Sequence, residues 1–341
     1  MTTKSALSCG LAAGLLLPLA GCQKDAQAWG EENALIVVAM DSLWQQVGDS
    51  VLRALEPSFV TVRDERSFNV THVSPMDTSW VQLRRFRQVI SVGRAGDSWV
   101  TPALSQPGRP APYIEAREDV WANDQRLTAV VVSGERPAAD LLAALPELSA
   151  RVDSLFRAYA SARMYQSQPN EALRDTLAAT AGFSMLFPTL YRPERQESLH
   201  VFRNWTDVGG ELRRTVAVTW KAGVDTAMSS EALLAWRDAT VKRYAHPQTV
   251  APQPQQRRRV TMGDVVAFEV QGAWSQVYDG VPMGGAFIAR TVPCPALERT
   301  FLVDAWLYAP GREKYEYMIQ LQTLLNTFRC GAPAGSAAGR Q

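Results

Sequence analysis

Phe301-Leu302-Val303-Asp304-Ala305-Trp306-Leu307-Tyr308 leads through Pro310-Gly311 into a stretch from Glu313 to Phe328. The first segment alternates at period two and reads as a strand. In the second, Tyr317, Leu321, Leu324, Leu325 and Phe328 recur at helical spacing and read as one buried helix face. Leu127 to Phe156 has the same order: a strand, a turn containing Gly and Pro, then a helix of similar length. Each reads as the closing β–α unit of its own half. The chain therefore predicts an α+β fold of two tandem, related halves, with antiparallel sheets and helices packed on one face. The halves are placed at 34–167 and 168–330, divided at Gln168-Pro169-Asn170, with a Gly/Ala-rich disordered tail at 331–341.

Working back from there, Leu35-Ile36-Val37-Val38-Ala39-Met40 is a β-branched run typical of a buried strand, and Asp41 and Ser42 offer cap oxygens to a helix from Leu43 to Leu55. Strands are expected at Phe68–Val73, Gln88–Val92, Tyr113–Trp121 and Leu127–Val132, then a helix from Pro137 to Gln166 broken at Pro146. The second half offers a helix from Glu171 to Ala181 with Gly182 as its C-cap, and another from a Ser229 cap to Tyr244. Its strands are expected at Phe183–Phe187, Leu199–Trp205, Thr215–Trp220, Val260–Met262, Val265–Gln271 and Phe287–Val292. Met283-Gly284-Gly285 reads as a tight turn.

The amino end carries the sharpest signal. Lys4 supplies positive charge, Leu11 to Leu19 is apolar but too short to span a bilayer, and Leu19-Ala20-Gly21-Cys22 follows. Small residues let a peptidase reach the backbone, and the Cys22 thiol is the nucleophile that takes a diacylglyceryl group. Residues 1–21 thus read as a signal peptide, Cys22 as the lipid-bearing residue, and 22–33 as a tether. Two or three acyl chains give stable anchoring, and no later segment reaches the roughly 18 apolar residues of a membrane span. The expected location is the outer membrane, facing periplasm or cell surface. Gln23-Lys24-Asp25 reads equally as the start of a surface-export tag or as ordinary tether.

Composition removes other classes. The 341 residues carry a formal charge of +1, without the basic excess that nucleic-acid binding calls for. The run Arg257-Arg258-Arg259 reads as a solvated strand edge or loop. With Cys9 lost and Cys22 acylated, Cys294 and Cys330 remain, either bridged or as two buried thiols. Three histidines without an i, i+4 pair argue against a metal site, and no cofactor motif or Gly-x-Ser-x-Gly elbow occurs. Glu269 and Asp279 are the carboxylates one would test for hydrolysis. Of ten tryptophans, Trp99, Trp121, Trp205, Trp220, Trp274 and Trp306 fall in or beside expected strands. An aromatic platform on a sheet suits a sugar or peptide, while core packing is the competing use. Trp205, Trp220, Trp274 and Trp306 are the candidate ligand-binding residues.

Leu35 to Asp41 with Leu43-Trp44, Phe183–Pro188, His200–Trp205, Trp236–Tyr244, Trp274 with Met283 to Phe287, and Val303–Pro310 with the closing helix together resemble an uncharacterised bacterial lipoprotein family. That family is a domain of unknown function seen chiefly in Bacteroidetes and their relatives. The second half is more distantly similar to the PsbP-like α/β sandwich. The resemblance implies location and fold and supplies no catalytic residues. The expected function is a non-enzymatic, lipid-anchored envelope protein that binds a ligand or partner: a glycan, a peptide or another envelope protein. A cell-envelope hydrolase and an assembly subunit of an outer-membrane complex are the alternatives.

Overall fold

The computed structural model describes residues 26–61, 65–106, 108–206, 211–252 and 255–331. The expected signal peptide, Cys22 and the tail beyond Gly331 lie outside the described residues. The fold is mixed α+β, in two tandem halves.

The first half contains β1 (Ala34–Val38), α1 (Asp41–Leu55), β2 (Asn69–Val73), β3 (Gln88–Gly93), β4 (Tyr113–Glu118), β5 (Arg126–Val131) and α2 (Pro137–Met164). Its sheet runs β2-β1-β3-β5-β4. Here the strands depart from the antiparallel expectation: β1 is parallel to β2 and β3, β3 is parallel to β5, and β4 alone is antiparallel. The physical reason is already in β1. Leu35 and Val37 pack into one apolar cluster, Ile36 and Val38 into another across the sheet. A strand buried on both faces suits a parallel sheet joined by crossover helices. On α1, Leu43, Val47, Val51 and Leu55 form the buried stripe, and Trp44 lies flat on His72 at 4.3 Å. Helix α2 runs unbroken through Pro146. Pro146 sits on the exposed side, as does Leu142 one turn earlier, so the carbonyl it cannot pair is left facing water. The tether expectation also shortens. Gln27 bridges to Asn123, Trp29 bridges to Phe86, and the two rings sit 4.0 Å apart, because an indole has more to gain against a ring than in water.

The second half contains α3 (Glu171–Ala181), β6 (Arg192–Gln196), β7 (Leu199–Thr206), β8 (Leu212–Ala222), α4 (Ser230–Val241), β9 (Thr249–Val250), β10 (Gln256–Met262), β11 (Val265–Tyr278), β12 (Val281–Cys294), β13 (Arg299–Tyr308) and α5 (Tyr315–Asn326). Its sheet is antiparallel throughout, in the order β11-β12-β13-β8-β7-β6, with β9 and β10 both pairing β11. Strands β11 and β12 are each 14 residues long, well beyond the expected ends. They turn at Asp279-Gly280, with φ of 50° and 75°, the left-handed pair that a two-residue hairpin demands. Gly284-Gly285 is therefore not a turn but strand. A Cβ at Gly285 would lie 1.7 Å from the Leu307 carbonyl oxygen, so glycine serves close backbone approach there.

The expected strand Phe183–Phe187 contracts to Phe183–Ser184, which pairs with Arg329–Cys330. Beside that pairing a disulfide joins Cys294 and Cys330, with Cα atoms 5.6 Å apart. One sheet face, with Phe202, Val216, Ile288 and Val303, packs under α3 and α5. The other, with Val270, Phe287 and Leu302, packs under α4. Helices thus cover both faces where one was expected, because both parities of these strands are apolar.

Candidate functional site

Strand alternation sorts the four candidate tryptophans. On β13 the even positions Leu302, Asp304 and Trp306 face α4, and the odd positions Phe301, Val303 and Ala305 face α3 and α5. Register carries this parity outward. Trp306 is paired with Thr215 of β8, so Trp220, paired with Phe301, falls on the opposite face. There its ring is covered by the Arg299 guanidinium at 3.7 Å. Trp205 on β7 is paired with Arg213, and Trp274 on β11 with Gly285, both on the α4 face. Trp205, Trp274 and Trp306 line a single open cleft of about 1170 Å³, and Trp220 does not. Trp99 is buried in the first half, and Trp121 packs edge-on against Trp80.

The cleft exists because α4 is shorter than the strands beneath it. The helix starts at a Ser229 cap, whose hydroxyl accepts from the Ala232 N–H, and ends at Val241. The segment Lys242–Gln248 then forms a wall over the uncovered part of the sheet. A buried network holds that wall. Arg237, 1% exposed, donates to Asp304, 0% exposed, at 2.8 Å and to the Gln248 side-chain oxygen at 2.7 Å. Its guanidinium lies 4.0 Å from the centre of the Phe287 ring. Trp306 donates its indole N–H to the Tyr244 hydroxyl at 3.1 Å, and Arg203 donates to the Tyr244 carbonyl at 3.0 Å. Burial, with the Asp304 carboxylate beside it, pushes the Tyr244 hydroxyl far above the usual phenol range, so it remains protonated.

Trp274 and Trp306 meet edge to face in the floor, with centroids 5.5 Å apart. The three indole N–H groups differ. Trp306 bonds Tyr244, Trp205 bonds the Thr215 hydroxyl at 3.0 Å, and the buried Trp274 N–H has no hydrogen-bond partner. A buried donor left unpaired costs about 1–3 kcal/mol. Trp205 is half exposed at the rim, flanked by the guanidinium groups of Arg203 at 4.8 Å and Arg213 at 5.2 Å. On the far wall His246 meets the Tyr278 ring at 4.3 Å.

The tested carboxylates do not converge. Glu269 is buried between Arg290 and Arg258, each at 2.6 Å, while Asp279 sits in the hairpin turn. The strand between them spans about 30 Å, several times the separation glycoside hydrolysis uses. Among the described residues no group of three or more His, Cys, Asp or Glu is arranged to hold a metal ion. No helix among them is long and apolar enough to cross a membrane. The sequence reading missed Tyr244, Gln248 and the Arg237–Asp304 pair. Asp304, a lone acid inside an apolar alternating strand, was the available signal.

Residues 170–327 match the family model described as Domain of unknown function (DUF4837), and residues 28–168 match Domain of unknown function (DUF8532). The two matched segments follow one another along the chain, and each spans less than half of it. The cleft lies wholly within the DUF4837 segment. No curated protein matches the chain. Among solved structures, the Ran-binding protein Mog1p of Saccharomyces cerevisiae is 12% identical with a TM-score of 0.30, the alignment covering 44% of this chain and 90% of that one. LpqN, involved in cell envelope biogenesis of Mycobacterium tuberculosis, is 13% identical with a TM-score of 0.28, covering 44% and 83%. A likeness this weak carries neither fold nor function across.

Proposed function

We propose that this chain is a lipid-anchored cell-envelope protein whose DUF4837 domain binds a ligand in the tryptophan cleft. One observation carries the binding part. Trp205, Trp274 and Trp306 come from three different strands to line one opening. Core packing alone gives no reason to open a cleft of this size over two indoles. The anchoring part rests on the sequence from Lys4 to Cys22.

The binding reading is tested by presenting the full chain to a glycan array and a peptide pool. Retention that Trp205→Ala abolishes is the expected result. Retention of nothing, with cleavage of a model substrate, overturns it in favour of an enzyme. For the anchor, mass spectrometry of the membrane fraction should find the mature chain beginning at an acylated Cys22. An unmodified chain still starting at Met1 ends that part of the proposal.

A further inference from the structure

We infer that the ligand taken by this cleft is an acidic saccharide; the inference rests on the binding role proposed above and names its chemistry. Among the described residues, the charged side chains lining the cleft are Arg192, Arg203, Arg213, Lys242 and Arg243 against the carboxylate of Glu194. Several of these cations are already engaged. Arg203 pairs Glu194 at 3.0 Å, Lys242 pairs Asp238 at 2.7 Å, and Arg243 reaches Glu197 at 3.5 Å. Arg192 is different. It is exposed, it has no ion pair among the described residues, and it stands directly across from Arg203 in the β6–β7 ladder. Two like charges opposite one another in an antiparallel pair repel, and a bound anion relieves that repulsion.

The uncharged part of the lining selects the body of the ligand. The Trp205 ring at the rim and the Tyr278 ring on the far wall give flat apolar surfaces. Rings with one apolar face and anionic groups at the edge match these surfaces and the cations beside them. An extended acidic peptide is less well served. The floor strands β11 and β13 are both paired on each side, so the floor offers no free backbone ladder for strand addition, and the one unpaired edge near the cleft, that of β6, lies at its rim. A nucleotide is less well served too. Among the described residues no helix N-terminus lines the cleft, and its cations are separate side chains and not a backbone cradle for phosphates. The volume, about 1170 Å³, exceeds what a single small anion needs and accommodates more than one sugar ring.

The full chain is titrated by calorimetry with tetragalacturonate, with neutral maltotetraose and with tetraglutamate, at low and high salt. Separately, it is applied to an array of uronate- and sialate-bearing oligosaccharides matched to neutral ones. Acidic oligosaccharides are expected to bind, salt to weaken them, Trp205→Ala to abolish retention, and Arg192→Gln to raise Kd by roughly tenfold. Arg192 is an exposed edge-strand residue, so that variant tests recognition without endangering the fold. Neutral glycans bound as well as acidic ones, with Arg192→Gln silent but Trp205→Ala effective, would overturn the acidic class and leave a binding cleft standing. Preference for tetraglutamate would overturn the saccharide. Retention of no saccharide and no peptide removes both this inference and the binding role.

Discussion

At the residue scale, the pair formed by Arg237 and Asp304 carries the most consequence for the cleft. Both side chains are buried, and their removal from water is offset only while they face each other. Asp304→Ala leaves an uncompensated guanidinium beneath α4 and is expected to cost about 3–5 kcal/mol. Arg237→Met combined with Asp304→Leu keeps volume without charge and should restore most of that stability, while freeing Gln248 and loosening the wall. Urea midpoints of the two variants separate these outcomes; a single variant as stable as the parent would mean the pair is not closed in solution. Gly285 makes a second case. A methyl group there meets backbone, which cannot rotate away as a flexible side chain could. Gly285→Ala should therefore destabilise by about 3 kcal/mol, read from the same denaturation curves.

At the scale of elements, periodicity delivered most of what the tryptophans do, since alternation on β13 and β8 already puts Trp306 and Trp220 on opposite faces once the strands are aligned. What it could not deliver was register, and hence the convergence of Trp205, Trp274 and Trp306 on one cleft. The expected Val265–Gln271 and Phe287–Val292 fall short of strands β11 and β12 because Met283-Gly284-Gly285 reads as a turn, although Asp279-Gly280 is itself a hairpin signal. The parallel first sheet was legible in the unbroken run from Leu35 to Val38, which has no solvent face. Strand β7 also carries a titratable group. His200 is buried against the edge of Phe183, and burial first, then the charge of Arg195, holds its imidazole below its ordinary value. The unfolded chain then binds the extra proton before the folded one does. Stability from this residue is complete above the ordinary histidine range near pH 6.5 and is lost as pH falls through it. Unfolding of the parent and of His200→Gln at pH 7.5 and pH 5.5 should show a smaller acid loss in the variant. An equal loss would place the sensitive group elsewhere.

At the scale of the molecule, α5 belongs to both halves. Met318, Leu321, Leu324 and Leu325 enter the core of the second half, yet Ile319 is buried in the core of the first, and Tyr315 stacks on Phe156 of α2 at 5.5 Å. Polar contacts run alongside: Arg157 donates to Gln322 at 2.9 Å, Ser161 meets Thr323 at 2.9 Å, and Lys314 pairs with Glu65. The disulfide adds a constraint, since Cys294 and Cys330 close a loop that contains β13 and α5. A helix that is shared in this way cannot leave one core without opening the other. The two halves are accordingly expected to unfold in one calorimetric transition, despite having separate sheets. Ile319→Ala with Tyr315→Ala removes the apolar part of the junction while leaving the second core intact, at a cost of about 2–5 kcal/mol for the isoleucine alone. That double variant should split the transition in two, the earlier one belonging to the half whose core lost Ile319. Two transitions already present in the parent would show instead that the halves are independent, and that the junction along α2 and α5 contributes contact without cooperativity.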